Sequence, residues 1–341
     1  MKTGIIDIEY YLPDKILDND AVADSIGKWK PSEIRAKIGI AERRVAGSDE
    51  YSSDLAVEAA ERLLSRWPPQ IRHSIDLFIF CTQTPDYVIP TTACIVQRRL
   101  NLSSSVAAFD INLGCSGFVY ALSVVRSMIS SGDASLALIC CSDTYCKWIG
   151  SKDAVTRPIF GDGSAAILLG RLRPGKEGIG SFIFGTDGSG WDKLIIRGSG
   201  GHGALNSPTI KEEDRHLYMN GPEIFRFTTV TVKNVIYSLL KKLDLKKESV
   251  QWFVLHQASG FILKHLIQTC GLDIERTPIM MENTGNTISA SIPIVLKALM
   301  KSKIQPGDRL VLVGFGAGYS WACCDVTWQH PSEFEVLSLP Q

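Results

Sequence analysis

Three polar residues stand where apolar runs give way to small-residue turns, and their types suit acyl transfer. Cys115 lies in FDINLGCSGFVYAL, where a strand-like FDIN enters a Gly-Cys-Ser-Gly turn and a helix follows. A cysteine at that point sits near a helix N-terminus, whose partial positive charge stabilises a thiolate and lowers the thiol pKa. The small neighbours Gly114, Ser116 and Gly117 leave room for a substrate. His256 ends the apolar run QWFVLHQAS, at the C-terminal end of a predicted strand, where active sites of α/β folds tend to form. Asn286, in ENTGNTISASIPIVLKAL, occupies a turn of small and hydroxyl residues ahead of a helix. Each also has a plainer reading. Cys115 can be a buried structural cysteine, His256 a core histidine satisfied by backbone groups, and Asn286 a helix or turn cap.

Two glycine turns accompany them. GFGAGYSW (314–321) follows an apolar run, but the next residues, SWACCDVTW, read as a strand. The helix that a dinucleotide loop requires is therefore missing, and a tight turn that aims backbone N–H groups at an oxyanion is the better reading. FGDGSAA (160–166) reads as a structural turn entering a strand. The chain has no CxxC pair, no HExxH, no G-x-S-x-G elbow and no P-loop, so zinc, serine-hydrolase and nucleotide-phosphate chemistry are not expected.

The elements that must position these residues alternate. Runs at 75–83, 135–143, 165–170, 251–257 and 309–316 are nearly continuous in apolar residues, as in strands covered on both faces. Segments 53–66, 117–131, 222–242, 260–270 and 289–301 carry apolar residues at spacings of three and four, the helical period. The alternation predicts an α/β fold with layered sheets. VYALSVVRSMISSGDASLALICCSD and IPIVLKALMKSKIQPGDRLVLVGFG both run helix, Gly-Asp turn, strand, and IDLFIFCTQTP echoes VQWFVLHQAS. Matched units in the same order suggest an internal duplication. The polar stretch RLRPGKEG (171–178) marks the seam, and the glycine-rich stretch 187–208 reads as a surface loop. A duplication would set Asn286 and Cys115 near each other across a pseudo-twofold axis.

Composition narrows the class. At 341 residues the chain can bury a large core. Lys plus Arg equal Asp plus Glu at 36 each, which gives no support for a nucleic-acid partner. No apolar stretch reaches about 18 residues, so no membrane span is expected. The opening MKTGIIDIEYYLP is too short and too interrupted by acids for a secretory signal. Nine cysteines, an odd number set mostly in apolar runs, suit reduced buried thiols and a cytoplasmic location.

Cys115 in INLGCSGF, His256 in LHQAS and Asn286 in TGNTISASIP, in that order and spacing, resemble the Cys-His-Asn triad of the beta-ketoacyl-acyl-carrier-protein synthase III family, in the thiolase superfamily. KIGIAERR (37–44), FGDGSAA and GFGAGYSW resemble three further motifs, so the likeness extends over nearly the whole chain. It implies a thiolase-like, five-layered αβαβα fold built from two duplicated halves. Residues 1–174 would carry the nucleophilic cysteine, and 175–341 the histidine and asparagine. It implies that Cys115 takes a primer acyl group as a thioester. His256 and Asn286 would stabilise the enolate left when a malonyl thioester loses carbon dioxide. The N–H groups of Cys115 and Ala317 would form the oxyanion hole. Acyl-carrier protein as partner, a homodimer and no cofactor follow from the same likeness. The substrates would be acyl coenzyme A or acyl-carrier thioester as primer, and malonyl-carrier thioester or malonyl coenzyme A as extender.

Three positions depart from the family's donor-binding pattern. Glu33 stands where a tryptophan is expected to stack on adenine, Ala154 where an arginine is expected, and Phe261 where another arginine serves carrier docking. Lys37 and Arg157 remain as cationic donor contacts, with Arg35 and Lys152 near them, and Ile89, before Pro90, matches a position that shapes the acyl pocket across the dimer interface. The expected activity is a decarboxylative condensation in fatty-acid or polyketide metabolism. The alternatives are an acyltransferase that passes the same acyl group from Cys115 to an alcohol or amine, and a non-catalytic partner of an active homologue. Retention of Asn286 favours condensation, since simple acyl transfer has no enolate to stabilise.

Overall fold

The computed structural model describes residues 1–203 and 210–338, so residues 204–208 of the glycine-rich stretch lie outside the described residues. Nine strands build two sheets. The first holds β1 (Thr3–Tyr11), β2 (Leu77–Cys81), β3 (Ala107–Ile111), β4 (Leu136–Asp143) and β5 (Gly163–Arg171). Their order is β1-β5-β4-β2-β3, with the last three parallel. The second holds β6 (Ile179–Thr186), β7 (Trp252–Leu255), β8 (Arg309–Gly316) and β9 (Ser320–Thr327), in the order β7-β8-β9-β6. In each sheet a parallel pair leads into two antiparallel partners: β2-β4-β5-β1 matches β7-β8-β9-β6. The chain passes from one sheet to the other over 172–178.

Helices cover every face. α1 (Ser52–Leu64) and α2 (Thr92–Arg99) pack outside the first sheet. α3 (Gly117–Ser131) lies between the sheets, and α4 (Gly221–Lys242) and α5 (Gly260–Cys270) pack outside the second. α6 (Ser291–Met300) joins α3 in the middle layer. The result is the five-layered thiolase arrangement. α3 faces a sheet on each side, so Phe118, Val119, Ala121, Leu122, Val125 and Ile129 are all fully buried. Burial of each larger side chain is worth about 1.5–3 kcal/mol. The helix stops at Gly132, whose φ of 92° an L side chain rarely adopts.

The five predicted strands and five predicted helices all form, within a few residues of their expected ends. β1 and β6 carry no clear period-two signal, because β1 is interrupted by acids and β6 mixes glycine with aromatics. The helices Asn19–Ile26 and Pro31–Ile38 leave no periodic signature either, each being only two turns long. The stretch 187–208 is more than a surface loop. Its Leu194–Ile195 pairs with Tyr218–Met219, and Leu194 reaches the central cavity.

Candidate active site

Cys115 lies between β3 and α3, two residues before the first helical residue. The end of β8 runs against it. A Cβ on Gly316 would stand 2.8 Å from the Cys115 Cβ and 3.0 Å from its Sγ, so only glycine lets the strand pass this close. The Ser116 and Ser320 hydroxyls meet at 2.7 Å and fasten the start of α3 to the hairpin after Gly316. Within that hairpin Ser320 also donates to the Ala317 carbonyl at 2.9 Å. GFGAGYSW is therefore a β-turn region closing onto Cys115, with Gly316 opposite Ser320 in register.

His256 follows the last residue of β7, and its backbone N–H donates to Val313 on β8 at 2.8 Å. Its ring meets Phe315 edge-on at 5.4 Å. Nδ1 lies 2.7 Å from the Ser291 hydroxyl at the start of α6. Asn286 is held through its backbone: its N–H donates to Ile159 at 2.9 Å and its carbonyl accepts from Gly161 at 3.0 Å. The side-chain orientation follows from its partners. Oδ1 accepts the Ile288 N–H at 2.9 Å, and Nδ2 donates to the Ala258 carbonyl at 3.3 Å. An amide nitrogen carries two protons. The second N–H of Asn286 has no partner among the described residues.

All three side chains are nearly closed off from solvent: Cys115 is 8% exposed, His256 1% and Asn286 4%. Burial decides their protonation. It pushes the Cys115 thiol well above its ordinary range, and the nearby Asp143 charge adds to the effect. The expectation of a thiolate at rest is thus corrected: loss of solvation outweighs the helix terminus in the substrate-free protein. Burial also pushes His256 down to about 3, against a smaller opposing hydrogen bond with the Ile288 backbone, so the ring is neutral. Asp143, pushed up to about 6 by burial, accepts from Thr82, the Gln83 N–H, and both the N–H and hydroxyl of Ser289. It ties the ends of β2 and β4 to the segment just past Asn286.

Cys115, His256 and Asn286 line one cavity of about 430 Å³. Its remaining wall is mostly apolar, with Met219, Ile224, Phe225 and Ile262 along it and Phe261 at its open side. Phe261 is exposed and tilts against Phe225 at 5.4 Å. Ala317 directly follows the lining residue Gly316. The other expected contacts, the donor-binding Lys37 and Arg157 and the acyl-pocket residue Ile89, do not line this cavity. Arg157 donates to Ser25 at 3.0 Å beside a separate small cavity, and Ile89 is 85% exposed at the surface. Lys37 places its ammonium 4.5 Å over the Trp29 ring. Trp29 and Ala154 pack on the same apolar cluster of Val22, Ile26 and Ile34. An indole therefore packs on the same cluster as Ala154, although the register of the sequence motif points to Glu33, whose carboxylate instead caps its own helix at Lys30. Sequence reading also misses Ser291, which lies inside the quoted TGNTISASIP turn but 35 residues from the histidine it meets.

Two sheets around a helical layer, with a cysteine, a histidine and an asparagine meeting at one apolar cavity, are the architecture of a thiolase-type acyltransferase. Comparison with known proteins narrows the class. The family model described as 3-oxoacyl-[acyl-carrier-protein (ACP)] synthase III matches residues 109–188, which include Cys115. That for the C-terminal region of the same synthase matches 240–328, which include His256 and Asn286. A beta-ketoacyl-[acyl-carrier-protein] synthase III of Caldanaerobacter subterraneus subsp. tengcongensis is 34% identical over 331 residues, 95% of this chain and 97% of that protein. A crystal structure of a 3-oxoacyl-(acyl-carrier-protein) synthase III, 38% identical, matches with a TM-score of 0.90 over 96% of this chain and all of that one. The priming beta-ketosynthase of the R1128 polyketide biosynthetic pathway is 27% identical, with a TM-score of 0.87 over 97% of each chain. The chain belongs to the 3-oxoacyl-[acyl-carrier-protein] synthase III family of condensing enzymes. Among the described residues no helix is long and apolar enough to cross a membrane, and no group of three or more His, Cys, Asp or Glu is placed to hold a metal ion.

Proposed function

We propose that this enzyme joins a primer acyl group held on Cys115 to a malonyl thioester, with loss of carbon dioxide. In the first half-reaction the Cys115 sulfur attacks the primer thioester carbonyl. An S–C bond forms, the donor's S–C bond breaks, and the thiol proton leaves with the donor as its free thiol. The N–H groups of Cys115 and Ala317 hold the tetrahedral oxyanion. In the second, the malonyl thioester loses its carboxylate as carbon dioxide. The electron pair becomes an enolate whose oxygen receives hydrogen bonds from His256 and Asn286. The enolate carbon then attacks the acyl carbonyl, and the Cys115 thiolate departs, leaving a beta-ketoacyl thioester.

The observation that carries this reading is the uncommitted N–H of Asn286 in the same cavity as Cys115 and His256. A neutral imidazole can supply one N–H beside it. Acyl-carrier protein delivers the extender, and the chemistry as written uses no cofactor. The matching strand orders of the two sheets support two similar halves, 1–174 and 175–341. Tyr87, Val88 and Ile89 are 63%, 82% and 85% exposed, and three such neighbours support a homodimer contact there. Nine free cysteines, seven of them buried, support a cytoplasmic location.

Carbon dioxide release from malonyl-carrier protein, followed with and without a primer thioester, tests the proposal. Release coupled to a beta-ketoacyl product is expected. Primer consumption in the presence of an alcohol or amine, with no carbon dioxide released, overturns it in favour of simple acyl transfer.

A further inference from the structure

Cys115 has two sides. On one, the apolar cavity opens toward Phe261 and gives the donor its path. On the other, Cys115 packs in a compact cluster with Tyr145, Ile149, Leu217 and Ile288, and Phe160 borders both sides. With a donor arm in the first side during transfer, the acyl group would face the second.

That second side is not simply apolar. Tyr145, 6% exposed, tilts on Phe160 at 5.3 Å and donates its hydroxyl proton to Gln83 Oε1 at 2.6 Å. The Gln83 backbone is pinned by Asp143 at 2.8 Å. Its side chain presses on the turn that carries the nucleophile: a Cβ on Gly114 would collide with the carboxamide and stand 2.9 Å from Ile288. Burial and then the Asp143 charge push the Tyr145 phenol up, and a charge on Cys115 adds to this, which sets thiol and phenol in each other's field. Together the phenol and the carboxamide hold three polar protons and use one on each other. Two donors remain in either orientation of the amide, with no partner among the described residues.

Pressing an alkyl terminus against this pair strips water from donors and returns nothing, whereas an oxygen on the acyl chain satisfies one of them. Tyr145 packs in the same buried cluster as Cys115, so a long chain on this side would have to displace it. We propose that Tyr145 and Gln83 determine primer specificity, and that they select a short acyl group bearing a hydroxyl or oxo oxygen. The inference rests on the reading that Cys115 carries the primer.

Loading of Cys115 by 3-hydroxybutyryl, butyryl and octanoyl thioesters of one carrier protein, followed by intact-mass spectrometry, tests it. The hydroxylated primer should load at least about tenfold faster than butyryl, and octanoyl slower than both. In Tyr145→Phe and Gln83→Leu proteins whose thermal midpoints match the parent, the hydroxybutyryl-to-butyryl ratio should fall to about one. Tyr145→Ala should raise octanoyl loading relative to butyryl. Equal loading of the two four-carbon primers by the parent overturns the proposal, as does octanoyl loading as fast as either, or a ratio that survives both substitutions. An adduct that persists in Cys115→Ala is a different failure: it removes the acyl-Cys115 reading beneath the proposal.

Discussion

Nδ1 of His256 lies 2.7 Å from the Ser291 hydroxyl, and the same hydroxyl receives the Gln257 N–H at 3.4 Å. A hydroxyl that accepts from the backbone turns its own proton toward the imidazole. Nδ1 then accepts, and the ring's one proton sits on Nε2, where the Ile288 backbone is its partner in the substrate-free protein and an enolate oxygen would take that partner's place. Ser291 is a positioning residue in this arrangement: it sets which nitrogen can donate to an enolate. Ser291→Ala should lower malonyl decarboxylation by about tenfold or more while acylation of Cys115 changes little. Nitrogen-15 shifts of His256 should report the Nε2–H tautomer in the parent and a mixture in the variant. A parent ring protonated on Nδ1 would remove the argument.

His256 and Asn286 should share the decarboxylation step. Replacing either by Ala should slow carbon dioxide release by about a hundredfold or more, the usual scale for one oxyanion donor. Primer loading should suffer far less, and equal loss of both half-reactions in Asn286→Ala would count against the division. The buried ring adds a pH signature. An ordinary imidazole takes up a proton near 6.5, but folded His256 resists until about 3. The unfolded chain binds more protons across that window, so stability falls as the pH drops through it, by up to about 1.4 kcal/mol per unit. Urea titrations across that range should show a shallower pH dependence in His256→Gln than in the parent.

Cys115 should react as a protonated thiol in the free enzyme. Burial and the Asp143 charge hold its pKa well above the ordinary 9.0. Iodoacetamide labelling of Cys115 should therefore be slow at neutral pH and still rise as the pH passes 9.0. The sign for stability is the reverse of the histidine's. Unfolded thiol ionises near 9.0 while the folded one does not, so stability is lost as the pH climbs above that value. A labelling curve that levels off near neutral pH would show that the helix terminus outweighs burial after all.

Much of this site can be read from the chain because its chemistry sits at boundaries between elements. His256 ends an apolar run, and Cys115 and Asn286 lie in turns just ahead of helices; period and turn residues mark such places in one dimension. The glycines that admit the nucleophile are visible too, although their reason is not. Gly316 matters for its approach to Cys115, a contact that joins two distant parts of the chain. Charge state is misjudged from sequence for a related cause. A helix terminus is local and legible, whereas the burial that dominates Cys115 comes from β8 and the Ser320 hairpin. The Ser291–His256 and Tyr145–Gln83 pairs are out of reach in the same way, because each joins two turns that only the sheets bring together.

Donor choice should depend on the surface around Trp29. Two of the three expected grips are absent: Ala154 is apolar and packed, and Phe261 offers an aromatic face at the cavity mouth. Arg157, the nearest candidate to replace them, is turned to Ser25. An indole is present at Trp29 with Lys37 above it, and it should serve as the stacking surface. Each charge-assisted phosphate contact is worth about 1.5–3 kcal/mol, so the loss of the one at Ala154 should weaken coenzyme A binding by roughly one to two powers of ten, whereas the change at Phe261 falls on the carrier-docking position. One acyl group offered on coenzyme A and on acyl-carrier protein should therefore load Cys115 with different half-saturating concentrations, the carrier about tenfold lower. Trp29→Ala should weaken the residual coenzyme A reaction and leave carrier loading nearly unchanged, because only the nucleotide has a base to stack. Efficient loading from micromolar acyl coenzyme A would overturn this ordering and direct attention to Lys37 as a phosphate partner.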